Sequence, residues 1–206
     1  MQTWTITDPG NVRPQNQDYY SVTELSENCL LAVVCDGMGG AKSGNVASRL
    51  ACEVFSEEIC RSFHPTMTDS EAERLLRSAV NLANVSVYEH AKLSVEYEGM
   101  GTTLVAALIS GKNAIVVNVG DSRCYHITRS DIYRVTVDHS LVQMMLERGD
   151  LTPEEARVYP GKNYITRAVG TEPTVESDLF VTRMERGDAL LLCTDGLHNE
   201  VDDQEI

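Results

Sequence analysis

The stretch Leu30–Gly40, LLAVVCDGMGG, constrains this chain most. Six consecutive apolar residues, Leu30 to Cys35, are too few to span a bilayer and suit a strand buried on both faces. The run ends at Asp36, and three of the next four residues are glycines, so the backbone there can turn sharply and approach a ligand closely. From Ser43 the pattern changes to the i, i+3, i+4 stripe of an amphipathic helix, through Val46, Ala47, Leu50, Ala51, Val54, Phe55 and Ile59. A carboxylate is therefore expected where a buried strand emerges. An Asx-turn opened by Asp-Gly is the simpler alternative for this one stretch.

The arrangement recurs. Ala189–Leu197, ALLLCTDGL, leads an apolar run into Asp195-Gly196, and Ala114–Asp121, AIVVNVGD, leads another to Asp121. Three such strands, if adjacent, gather three carboxylates. Like charges that close do not all stay ionised unless a cation joins them. Oxygen donors with no nearby His or Cys spacing suit Mg²⁺ or Mn²⁺ rather than zinc.

The 206 residues suffice for one well-buried core, and one domain is expected over 1–206. A formal charge of −14, from 31 acids against 17 bases, disfavours nucleic acid as a partner. Six cysteines, at 29, 35, 52, 60, 124 and 193, sit mostly in or beside apolar runs without a C-x-x-C pair. They read as free thiols in a reducing, cytoplasmic setting, and the N-terminus lacks the charge and hydropathy of a secretion signal.

In order along the chain, residues 2–6 alternate weakly as a strand, and GNVRPQNQD is a polar loop. Tyr19–Thr23 and Cys29–Cys35 read as a hairpin joined by ELSEN. Thr68 and Glu71 make a capping box for a second long helix facing inward through Leu75, Ala79, Leu82, Ala83, Ser86, His90 and Leu93. Thr102–Ile109, Ala114–Val119, Cys124–Thr128 and Ile132–Val137 are strand-like runs whose links are too short for crossover helices, so an antiparallel meander is expected. A short helix begins at Thr152-Pro153. Asn163–Val169, Leu179–Thr182 and Ala189–Cys193 return to strand character. Two long helices among antiparallel strands predict an α+β fold with helices on sheet faces.

The blocks GNVRPQNQD, VVCDGMGG, GMGTTLVAAL, VGDSRCYHI, VDHS, ITRAVG and CTDGL, in this order and spacing, resemble the bacterial metal-dependent serine/threonine phosphatases of type 2C over essentially the whole chain. The resemblance implies a sandwich of two antiparallel β-sheets flanked by helix pairs, with two Mg²⁺ or Mn²⁺ ions, and a third position in bacterial members, at one end. Asp36 matches the acid bridging two metals, and Gly37 the residue whose carbonyl binds the first. Asp195 matches a ligand of the second metal, and Asp121 with Asp195 the third position. Asp18 matches a residue that holds water on the metals, Arg13 the clamp on substrate phosphate, and residues at about 140–165 the mobile flap. The implied activity is hydrolysis of phosphoserine and phosphothreonine in proteins, opposing a bacterial serine/threonine kinase.

Three departures bear on that expectation. Gln17 stands where the family usually has Glu, and Met38 where many eukaryotic members have a histidine proposed as general acid. Family members also continue beyond the point where this sequence ends, through a helix and a strand bearing a further Asp ligand. The competing expectation is a catalytically weak module that binds phosphoproteins on the same fold.

Overall fold

A computed structural model of the chain describes residues 1–11, 15–39, 43–203 and 205–206. Strands β1 (Asp18–Ser26) and β2 (Cys29–Met38) form an antiparallel hairpin. Helices α1 (Gly44–Ser62) and α2 (Asp69–Ala91) follow, then the two-residue β3 (Gly101–Thr102), β4 (Leu104–Ser110) and β5 (Asn113–Val119). The chain continues through β6 (Arg123–Ile127), β7 (Ile132–Arg134), α3 (Leu141–Arg148) and α4 (Pro153–Arg157). It then forms β8 (Asp178–Arg183), β9 (Ala189–Cys193) and the one-turn α5 (Asp195–His198).

One antiparallel sheet has the order β1-β2-β4-β5-β8 with β3 added on β2, and a second has the order β7-β6-β9. The central strands are apolar without alternation because both of their faces are covered. Leu104, Ala106 and Leu108 of β4 join Ala47, Phe55 and Ile59 of α1 and Leu76, Val80 and Val87 of α2 in one core. Val105 and Ala107, pointing the other way, join Val116 and Cys124, with Leu190 and Leu192 packed alongside. The larger sheet is thus sandwiched between the α1–α2 pair and the smaller sheet.

Several sequence expectations need correction. The hairpin strands run longer than expected, and the connection is a two-residue turn at Glu27 and Asn28 rather than ELSEN. Strand β2 continues past Asp36 because Gly37 and Met38 find partners in Thr102 and Gly101 of β3. The meander does not run through: β4–β5 and β6–β7 are each antiparallel pairs, but they belong to different sheets, and the chain crosses between them at Gly120 to Ser122. Residues 2–6 form no strand, and Trp4 and Ile6 are 83% and 92% exposed, so their weak alternation meets no face to cover. Between 163 and 169 only two isolated bridges form, Ser140 with Ile165 and Thr102 with Val169.

The capping box at the start of α2 is present, with Glu71 N–H donating to Thr68 Oγ1 at 3.3 Å and Thr68 N–H to Glu71 Oε2 at 2.8 Å. Its inward stripe is rotated from the expected one. Leu82 is exposed, and the buried line runs through Ala72, Leu76, Ala79, Val80, Ala83, Asn84 and Val87. Ala and Val occupy most of those positions. All six cysteines are free thiols, five of them buried. Among the described residues no helix is long and apolar enough to cross a membrane.

Candidate metal centre

Strand pairing brings the first two acids together. In the β1–β2 register Asp18 lies directly opposite Asp36, so both side chains leave the same face of the sheet. Alternation along β2 decides which face. Leu31, Val33 and Cys35 belong to the core under the helices, whereas Val34 packs against the core between the sheets. Asp36, two residues beyond Val34, therefore points to the inter-sheet side at the end of the sandwich.

The backbone of Asp36 is held on three sides. Its N–H donates to Thr103 Oγ1 at 2.9 Å, and its carbonyl accepts from Thr103 N–H and from Thr102 Oγ1, each at 2.9 Å. Thr103 Oγ1 also meets Ser122 Oγ at 2.7 Å, which links Asp36 to the residue after Asp121. Neighbouring Gly37 is buried and donates to the Gln17 carbonyl at 3.0 Å. A Cβ at position 37 would stand 1.9 Å from the Gly44 carbonyl oxygen, so this strand end meets the start of α1 only as glycine. The Gln17 carbonyl accepts a further bond from Ser48 Oγ at 2.6 Å, and the Gln17 side chain lies against Gly44.

Asp121 comes from the crossing between sheets, and Asp195 from the first residue of α5, just past β9. The junction bearing Asp195 is tied to β1 by Thr194 Oγ1, which donates to Asp18 Oδ2 at 3.0 Å. Asn199 Nδ2 donates to Asp195 Oδ2 at 3.1 Å. His198 Nε2 donates to the Asp121 carbonyl at 3.0 Å. The four acids of the expectation, Asp18, Asp36, Asp121 and Asp195, thus meet at one end of the sandwich. Arg13 lies outside the described residues.

The electrostatics record that convergence. Burial pushes the Asp36 carboxyl up to about 9, reinforced by the charges of Asp18, Asp195 and Asp121 and by a hydrogen bond with Asp195. Asp121 is pushed up to about 7, again by burial first and then by Asp195 and Asp138; a backbone hydrogen bond and the Arg123 charge oppose this. Such a set is costly without a positive charge among it. Among the described residues no three ligating side chains close on a single point as a ready cage. The donors that converge on Asp36 are carboxylate oxygens, a set whose chemistry fits a hard cation such as Mg²⁺ or Mn²⁺.

Sequence reasoning missed the supporting residues. Thr102 and Thr103, Ser122, Thr194, Asn199, His139 and His198 bond the acids or the backbone that carries them, and several lie within blocks already singled out, GMGTT and VDHS among them. Short polar side chains flanking each Asp were the available signal.

Residues 13–205 match the family model described as Protein phosphatase 2C. The chain is 38% identical over 200 residues to serine/threonine phosphatase stp of Listeria welshimeri, which covers 97% of this chain and 79% of that protein. It is 34% identical over 208 residues to protein phosphatase PhpP of Streptococcus pneumoniae, covering 100% of this chain and 82% of that protein. The crystal structure of serine/threonine phosphatase Stp1 from Staphylococcus aureus superposes with a TM-score of 0.90 at 39% identity, over 97% of this chain and 78% of that one.

Proposed function

Because the chain belongs to the protein phosphatase 2C family, we propose that it hydrolyses phosphoserine and phosphothreonine in proteins, using divalent cations held by Asp18, Asp36, Asp121, Asp195 and the Gly37 carbonyl. The observation that carries this reading is the meeting of four acids from separate parts of the chain, with Asp36 pushed up to about 9 by burial and by the other three. Paired Mg²⁺ or Mn²⁺ ions activate water at neutral pH and neutralise charge on the phosphoryl group.

The chain's own residues supply position. Asp36, fixed through its backbone by Thr102 and Thr103, is the acid with the charges of all three others upon it and would be shared between the cations when they are bound. Asp121 and Asp195 would hold a further ion, and Asp18, bonded by Thr194, would hold water on the cations. Arg13 clamps the substrate phosphate, a role for which its planar fork suits two oxygens at once. No side-chain nucleophile is required. Ser122 is fully buried against Thr103, and Ser43 stands at the start of α1. The insertion between His139 and Thr166 acts as the flap over the site. Its ends are tied by Leu141 N–H to the Tyr164 carbonyl and Thr166 N–H to the His139 carbonyl, each at 2.8 Å, while α3 and α4 lie beyond that neck. Partners are phosphoproteins, including a serine/threonine kinase and its substrates, in the cytoplasm.

The test is hydrolysis of a small aryl phosphate and of a phosphothreonine peptide with Mn²⁺ added and then removed by chelator. Chelator-sensitive turnover of both supports the phosphatase. Peptide binding without turnover replaces it with a phosphoprotein-binding module.

A further inference from the structure

We infer that His139 is a positioning residue for Asp121, holding the preceding Gly120 by both of its backbone polar groups. The inference rests on the metal-centre reading above. Gly120 N–H donates to His139 Nδ1 at 3.0 Å, and His139 N–H donates to the Gly120 carbonyl at 2.9 Å. The same carbonyl accepts from Asn118 Nδ2 at 3.2 Å. Gly120 has φ +105°, where L side chains are rare, and a Cβ there would meet Thr103 Cγ2 at 2.6 Å. Thr103 is the residue that accepts the Asp36 N–H. The turn clasped by His139 is therefore packed against the support of Asp36 and leads directly into Asp121.

The clasp needs one tautomer. An Nδ1 that accepts carries no proton, so the proton sits on Nε2, which donates to Asp178 Oδ2 at 3.2 Å. Arg167 Nη1 donates to Asp178 Oδ1 at 3.0 Å and keeps that carboxylate in place; its 3.0 Å approach to Nε2 is a hydrogen bond only in the opposite tautomer, with the proton on Nδ1. The chain Arg167–Asp178–His139–Gly120–Asp121 runs from the surface inward, since Asp178 is 44% exposed at its side chain and His139 only 8%. His198 donates to the Asp121 carbonyl, so the segment is gripped before and at the acid. Outer partners of this kind orient a ligand without touching the ion.

Manganese titration by calorimetry, with Km and kcat measured alongside, tests the inference. His139→Ala should weaken Mn²⁺ binding about 10-fold or more while leaving Km for a phosphopeptide at saturating Mn²⁺ within about 2-fold, and His139→Asn, which offers an oxygen acceptor, should restore part of the loss. His126→Ala is the control. His126 is equally buried but bonds Asp188 and Thr182 away from the acids, so its loss should leave the Mn²⁺ titration unchanged. Superimposable isotherms for His139→Ala and the native chain, both binding Mn²⁺, would overturn the inference alone. A native chain that binds no Mn²⁺ would overturn the metal-centre reading with it. Imidazole nitrogen NMR of the native protein decides the point even if the variants do not fold: Nδ1 of His139 without a proton supports the clasp, and Nδ1–H refutes it.

Discussion

Replacing Asp121 by Asn should stabilise the metal-free protein while weakening its hold on Mn²⁺. Asp121 is 9% exposed, and its carboxyl is pushed from the ordinary 3.8 up to about 7, first by burial and then by Asp195 and Asp138. The unfolded chain releases this proton near pH 4 and the folded chain only near pH 7. Between those values the folded state binds more protons, so stability falls as pH rises and the full penalty is present above pH 7. A displacement of about three pH units at about 1.4 kcal/mol each makes about 4 kcal/mol, an upper value because charged neighbours relax. Urea unfolding of both proteins in chelator should superimpose near pH 4 and separate by pH 8, with Asp121→Asn the more stable. In Mn²⁺ at about 100 times its dissociation constant, native protein should gain about 2.7 kcal/mol and the variant much less. An Asp121→Asn protein equal to or less stable than native in chelator at pH 8 would refute the reasoning, for the site would then not be a strained cluster of like charges.

Asp36→Asn should abolish chelator-sensitive turnover with secondary structure retained by circular dichroism; near-native kcat in the folded variant at saturating Mn²⁺ would remove Asp36 from the mechanism. Arg13→Ala should raise Km for phosphopeptide by the about 1.5–3 kcal/mol of a lost charged hydrogen bond, with Mn²⁺ isotherms unchanged, and an unaltered Km would return Arg13 to an ordinary loop charge. Arg123 reaches Asp138 through Nε at 3.0 Å and through Nη2 at 2.7 Å, both side chains largely buried. Arg123→Met should therefore cost up to about 3–5 kcal/mol in urea unfolding by leaving Asp138 only its longer ion pair with Arg134 at 3.7 Å, and adding Asp138→Leu should recover most of it; a double variant no more stable than the single would show that the pair's burial is not the cause.

The periods and punctuation of the sequence determined a good deal by themselves. The apolar strands at β2, β4 and β5, the amphipathic α1 from Ser43, the capping box at Thr68, the short helix starting at Thr152-Pro153 and the free thiols all follow from local chemistry that tertiary contacts did not override. Each candidate acid was visible as an Asp ending an apolar run or lying in a polar block. That the acids would meet was not, because proximity depends on register and on which sheet a strand joins. Pairing of Asp18 with Asp36 required β1 and β2 to extend past their apolar residues, and the extension is stabilised by partners distant in sequence, Gly37 and Met38 against β3. The short β5–β6 link read as a hairpin, yet it carries the chain to the other sheet and lays Asp121 beside the rest. A link's length limits how far the chain travels and says nothing of its direction. Only the packed fold, in which Gly120 turns with a positive φ against Thr103 and is gripped by a histidine nineteen residues on, decided that direction.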